Sequence, residues 1–556
     1  NNIDQGLSNN QVAIDINNDR VSRERENERK RQNDSINDGD GDDDISEDER
    51  DLEQRESRDQ GLSDSSINSE TFDPRLKGRN LYMTFYVKYF CSTFLIMFYF
   101  YISDLFDKIF LQIPEQTPDL RNQTTAYLLA HNYSYFWVYS FSSVLIYVFD
   151  IEGTLLFSLK QFRKFGFLIH QYLAVHFGIL IVFYVIHIFI CGVFINFYTP
   201  MPQDTIDYIY LYVCLVILAY VFNIIFLVYS RVLNIANKTN IVMYVMAGSI
   251  FLYGLLSYLL VGVANMGIKG ILLCKILISV LQACAVLFYC IFSYSLPNMI
   301  FFPKIESFNF DSIMNILVNY FFFLPIMLAW QGFWFFSDYI AKWSSTYEYN
   351  INTVLNGNAQ LIYSFTEANV ITLVVSTSFF IGKGASKSVV KQILSYSLIF
   401  LTGLTIVGGI LLIICQTWLI NLNIYNISEG KQLFTLSLIY SDNSFYKQYV
   451  KNGVWEVNIF FFLMIIFFSV NRLLYSWFRA LDMTFVGNMN PFMLGFFYKI
   501  GLCILFVKAF YSHEEGMMVG IIIADLFGIA INISQYLLEG WVKCLFRYYT
   551  DKSINK

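Results

Sequence analysis

Proline and histidine are scarce in this chain of 556 residues, with nine and five copies. Pro325 is the one proline well inside a long apolar run, so most such runs read as unbroken helices. His176 and His187, eleven residues apart, share a helix face, but no third ligand accompanies them, which argues against a metal site. The nine cysteines form no Cys-x-x-Cys and nearly all sit in apolar runs, so they read as small buried hydrophobes. A phosphate-cradling glycine loop is also missing, which excludes drive by nucleotide hydrolysis. Nor is there a paired His/Asp or Ser nucleophile motif, so the chain reads as no enzyme, with no cofactor. No secretory signal pattern is found.

What is present is apolar. The hydrophobic share is 55% and mean hydropathy is +0.46, more apolar surface than a water-soluble fold hides. The charge divides sharply. Residues 1–78 hold 22 acidic and 11 basic residues, a net of −11, while the rest holds 22 acids and 27 bases, a net of +5. Those first 78 residues are too polar to offset the entropy of ordering and are expected to be a disordered acidic tail.

From about Leu81, apolar stretches recur that are long enough for ~30 Å of hydrocarbon, about 20 helical residues each. They are 81–106, 127–150, 167–197, 206–230, 241–263, 267–295, 312–340, 357–381, 391–418, 453–478, 489–510 and 516–542. The expectation is an all-α polytopic membrane protein of twelve transmembrane helices. The domains follow: 79–296 as a six-helix lobe, 297–311 as a linker, 312–543 as a second lobe and 544–556 as a short tail. With residue 1 placed in the cytoplasm, 17 basic residues fall on the inner side and 8 on the outer, so both termini are expected to be cytoplasmic. The sequons at Asn122 and Asn426 then lie outside. A plasma or vacuolar/endomembrane location, the bilayer as partner, no nucleic acid and a monomeric state complete this expectation.

The two lobes carry traces of a repeat. At an offset of 248, Asn223, Tyr229, Arg231, Leu233 and Asn234 align with Asn471, Trp477, Arg479, Leu481 and Asp482, each set ending a span. At an offset of 234, Ser103, Asp104 and Lys108 of the first span align with Ser337, Asp338 and Lys342 of the seventh. Gly267 and Gly270 open the sixth span as Gly516 and Gly520 open the twelfth. Six helices duplicated in parallel is a transporter architecture with its site between the halves.

Acids inside apolar spans cost ~2.5–3.5 kcal/mol on insertion scales and persist when paired, wetted or used. That singles out Asp104, Asp338 and Glu367, with Asn369 near the face of Glu367, as candidate substrate- and cation-binding residues. Gln331, amid Trp330, Phe333, Trp334, Phe335 and Phe336, is another, and Pro325 six residues earlier is expected to kink that helix. Lys275 and Asp525 are intramembrane too, Lys88 and Lys499 are expected to snorkel or pair, and Asn223 and Asn471 to bond between helices.

Several segments resemble the multidrug and toxic-compound extrusion (MATE) family, over roughly residues 80–542. Ser376–Ala385 resembles its Ser/Thr-rich helix ending in a Leu-Gly-Ala-Gly turn, Leu473–Asn490 its Leu-Arg-Gly-x-Gly segment, Gly267–Gly270 its Gly-x-x-Gly, and Gly153-Thr154-Leu155 its Asp-Thr-Leu. There are departures. Arg479 is followed by Ala480 and Leu481, and the two Glu of the family's seventh helix are not both matched: either Asp338 fits the second and Phe333 stands for the first, or Gln331 and Phe336 replace them. The resemblance implies a pseudo-symmetric pair of six-helix bundles. It also implies a secondary antiporter that exports small organic solutes, cationic or amphipathic, in exchange for H⁺ or Na⁺. A lipid or lipid-linked oligosaccharide flippase of a related fold is the alternative, and a cleft lined by Lys and Arg would favour it.

Overall fold

The computed structural model describes residues 79–111, 118–197, 202–292, 309–327, 333, 340, 346–385, 387–424, 454–481, 490–509 and 513–537. The expected tail, the linker residues 297–308 and the short C-terminal tail lie outside them, as do Gln331 and Asp338. Among the described residues no strand occurs, and a helix overlaps each of the twelve expected spans. Nine of these described helices are long and apolar enough to cross a bilayer.

The first lobe contains α1 (Arg79–Phe110), α2 (Pro118–Ser134) continued through a π turn into α3 (Phe141–Ser158), α4 (Phe162–Phe197), α5 (Gln203–Ile235), α6 (Thr239–Ser257) and α7 (Gly267–Phe292). The second contains α8 (Phe310–Met327), α9 (Thr346–Gly382), α10 (Lys387–Ile424), α11 (Val454–Ala480), α12 (Lys499–Ile504, flanked by π turns) and α13 (His513–Leu537). The second span runs well beyond the expected 127–150, because the polar turns at its start, with Asn122, Gln123 and Thr124, are also helical.

The repeat has structural counterparts. π turns close the fifth and eleventh spans at Tyr258–Val263 and Leu505–Ala509. The glycine pairs then do similar work. A Cβ on Gly270 would lie 3.2 Å from Val261 and 3.3 Å from the Leu260 carbonyl carbon; one on Gly520 would lie 3.1 Å from the Cys503 nitrogen. In each lobe a glycine thus lets the last helix settle on the backbone of the one before it, the small-residue contact of apolar bundles. Gly267 has φ +55°, and the Ile268 N–H beyond it donates to Gln123 Oε1 at 3.0 Å, so α2 caps α7.

Cores differ between the lobes. One continuous apolar cluster fills the first lobe and includes Ile316, Tyr320 and Phe323 of α8, so the start of the seventh span packs on the first bundle. The second lobe holds two clusters, one around Ile362, Ile465 and Ile521 and another around Leu373, Leu394 and Trp477. The lobes join along α1 and α9, which run antiparallel: Phe85 stacks on Phe379 at 4.9 Å and Phe94 on Phe365 at 4.5 Å. This seam reaches the end bearing Lys160 and Lys383. There Gly382 sits so close to Ser158 and Leu155 that a side chain on it would collide with them. Gly384, φ +74°, ends α9.

Candidate functional site

The richest polar cluster lies in the first lobe. Asp104 and Asp107, three apart on α1, share a helix face and project among four other helices. Asp104 pairs with Lys108 at 2.7 Å and faces His131 Nε2 at 3.6 Å. Asp107, fully buried, pairs with Lys275 of α7 at 2.9 Å and accepts hydrogen bonds from Tyr253 (2.7 Å) and Ser257 (3.4 Å) of α6. Tyr127 lies within hydrogen-bond distance of both carboxylates, at 3.0 and 2.9 Å, and His131 Nδ1 meets the Tyr212 hydroxyl at 3.0 Å. The Lys275 ammonium stands 5.8 Å from the centres of both the Tyr127 and Tyr253 rings, a cation held by a carboxylate and two aromatic faces. Beside it is a cavity of about 50 Å³ whose wall includes Ser103, His131, Tyr212, Asn223, Lys275 and Ser279.

A parallel arrangement, built from other helices, lies in the second lobe. Lys499 of α12 reaches both oxygens of Asp525 on α13 at 2.8 and 2.9 Å, and its ammonium sits 5.1 and 5.0 Å from the Phe333 and Phe468 ring centres. Asn471 donates to Asp525 at 3.0 Å and accepts from Asn532 at 3.1 Å. Lys499 and Asp525 are 2% and 1% exposed, which removes them from solvent altogether. Of the two outcomes expected for Lys499, it pairs rather than snorkels: a buried carboxylate on the next helix decides its direction.

The third cluster joins the lobes. Glu367 of α9 forms an ion pair with Arg472 of α11 and accepts a hydrogen bond from Tyr147 of α3 at 3.0 Å. Arg479, one per cent exposed, lies over the Tyr147 and Phe323 rings at 5.6 and 5.7 Å and donates to Ser476 at 2.6 Å. Its repeat partner Arg231, equally buried, faces Asp150 at 3.6 Å and donates to Thr93 at 3.3 Å. Asn369 is not a partner of Glu367. It hydrogen-bonds Tyr86 of α1 and donates to the Ser397 carbonyl of α10 at 3.0 Å, because two residues along a helix separate faces by about 200°. At the basic end, partial burial, reinforced by the positive field of Lys160, holds the Lys383 ammonium below the ordinary lysine range.

The expected residues thus fall into three places. Asp104 belongs to the first-lobe cluster, and Glu367, Asn369 and Arg479 to the lobe contact. Asn471 bonds between helices as expected. Asn223 does not: its Oδ1 has no partner among the described residues, and it lines the cavity. Pro325 lies inside α8, where it removes the hydrogen bond to the Phe321 carbonyl; Gln331, expected beyond it, is outside the described residues. Sequence reading missed Asp107, Asp150, Tyr147 and Arg472. Spacing offered a signal for Asp107, about one turn from Asp104, and for Arg472, about two turns before Arg479. Tyr147 had none, since its value comes from facing the other lobe. Among the described residues no group of three His, Cys, Asp or Glu side chains gathers to hold a metal.

No family model matches the chain, and no curated protein matches it. Solved structures do. The eukaryotic MATE transporter AtDTX14 superposes with a TM-score of 0.69 at 13% identity, over 85% of this chain and 99% of that one. The chain has the MATE fold. A MATE transporter in complex with MaL6 matches at TM-score 0.66 and 10% identity, over 84% of this chain and 96% of its own. A MOP superfamily transporter from Pyrococcus furiosus, whose reversed binding-pocket polarity suggests a different function, matches at 0.64 and 11% identity over the same shares. At these identities the likeness is one of fold. The MATE fold makes the chain an all-α, integral multi-pass membrane protein of twelve helices in two lobes.

Proposed function

We propose that this protein is a secondary transporter that carries a small organic solute across a bilayer by alternating access of its two lobes, driven by H⁺ or Na⁺ exchange. The observation that carries this reading is the character of the lobe contact. It joins two pseudo-symmetric bundles through Glu367, Arg472 and Tyr147, polar groups that are buried together and exchange partners if the lobes tilt. Asp104 and Asp107, with His131 beside them, are the groups proposed to gain and lose the coupling ion.

The flippase reading keeps one supporting observation. Lys275 is the formally charged group on the first-lobe cavity wall, and the lobe contact carries two arginines, so the polarity is that expected for an anionic or lipid-linked solute. Proteoliposomes holding the full chain test both readings. Gradient-dependent uptake of a fluorescent organic solute, reduced in Asp104→Asn and Glu367→Gln, is the expected result. Flux of none of a panel of solutes under imposed pH and Na⁺ gradients would remove the transporter reading, and scrambling of labelled lipid with no solute flux would favour the flippase.

A further inference from the structure

We infer that the first-lobe cavity binds an anionic headgroup, a carboxylate or phosphate, against the Lys275 ammonium, and that a proton on His131 accompanies it. This rests on the transporter reading and names the ligand class of one of its sites.

The wall of the cavity decides the sign of the ligand. Lys275 lies on it; Asp104 and Asp107 do not. Asp107 is fully buried behind Lys275, its oxygens held by Tyr253 and Tyr127. A cationic solute entering the cavity would meet an ammonium, and the carboxylate and aromatic faces that would have received it already hold that ammonium. In a low-dielectric interior such like-charge contact is costly. An anion, by contrast, meets the N–H groups that Lys275 does not give to Asp107, and the amide of Asn223. That amide is 7% exposed; its Oδ1 is buried without a partner, which leaves the NH₂ as the donor it offers the cavity. The space of about 50 Å³ is large enough to take a small headgroup.

Charge balance then points to His131. From α1 it faces Asp104 and Lys108; from its own helix, Tyr127, and just beyond it Tyr135; from α5, Tyr212; from α7, Lys275. Asp104, Asp107, Lys108 and Lys275 sum to zero. A bound monoanion makes the cluster negative, and one proton on His131, which then pairs fully with Asp104, restores neutrality. The sign is fixed by linkage: the anion favours the protonated imidazole, so affinity rises as pH falls through the bound-state titration of His131.

The test uses the full chain in lipid nanodiscs, with empty nanodiscs as blank and benzoate, inorganic phosphate and choline as probes. Calorimetry in buffers of different ionisation enthalpy counts protons. Expected are binding of benzoate or phosphate with uptake of one proton and no binding of choline. The double variant Lys275→Met/Asp107→Asn removes the ion pair without leaving a buried charge. It should weaken the anion at least about tenfold, the worth of one charge-assisted hydrogen bond, while unfolding at a temperature near that of wild type. His131→Gln should bind without proton uptake. Binding of choline but neither anion, or unchanged anion affinity in a folded double variant, overturns the inference. Anion binding without gradient-driven flux leaves this inference standing and removes the transporter reading; choline flux without anion binding does the reverse.

Discussion

Each lobe buries a lysine against an aspartate beneath two aromatic rings, yet the two pairs serve different ends. In the second lobe Lys499 and Asp525 are sealed, with Asn471 and Asn532 completing the shell. In the first lobe Asp107 is as deeply buried, but its partner Lys275 is 13% exposed on a cavity wall, with His131 and Asp104 within the same network. A closed pair fixes how helices pack; an open one retains an ammonium to offer. Equivalent architecture therefore does not mean equivalent chemistry, and the first lobe is where exchange with a solute or an ion is to be sought.

That contrast is most sharply tested at Lys499. Lys499→Met strands a buried carboxylate and is expected to cost about 3–5 kcal/mol, read from denaturant unfolding in detergent, while Lys499→Met/Asp525→Asn recovers most of the loss. Lys275→Met is expected to cost less, about 1–3 kcal/mol, because Asp107 keeps its tyrosine hydroxyls and the cavity admits water. Equal losses at the two lysines would erase the distinction drawn between the lobes. Gly520→Ala comes next at about 1–2 kcal/mol, since its Cβ meets helix backbone that does not yield; a loss below that of an exposed helix glycine would refute the close contact. Smallest is Tyr86→Phe at the lobe seam, about 1 kcal/mol for hydrogen bonds shared with Asn369 and Ser397, with faster disulfide cross-linking lost between cysteines placed at 85 and 379 if the seam loosens.

Much of the fold was legible in advance. The twelve apolar runs place the spans, and the offset of 248 anticipates that Arg231 and Arg479 occupy matching buried positions. The site was less legible. Asp104 and Glu367 stand out as acids in apolar surroundings, but Asp107 was passed over beside Asp104, and Arg472 within a helix already marked for Arg479. Glu367 and Asn369 were grouped by closeness in sequence, whereas their helix sends one to α3 and α11 and the other to α1 and α10.

The amino-acid sequence alone determined the number of spans, their helical character and their pairing into halves, because hydrocarbon thickness and the need to satisfy every backbone group leave helices of about 20 residues as the one solution for such runs. Tertiary structure alone decided which charges meet. Asp107 finds Lys275 across 168 positions and Glu367 finds Arg472 across 105, and neither pairing is written in any local pattern. Inside an apolar bundle an ion pair is made by whichever helices pack together, and only the folded chain says which they are.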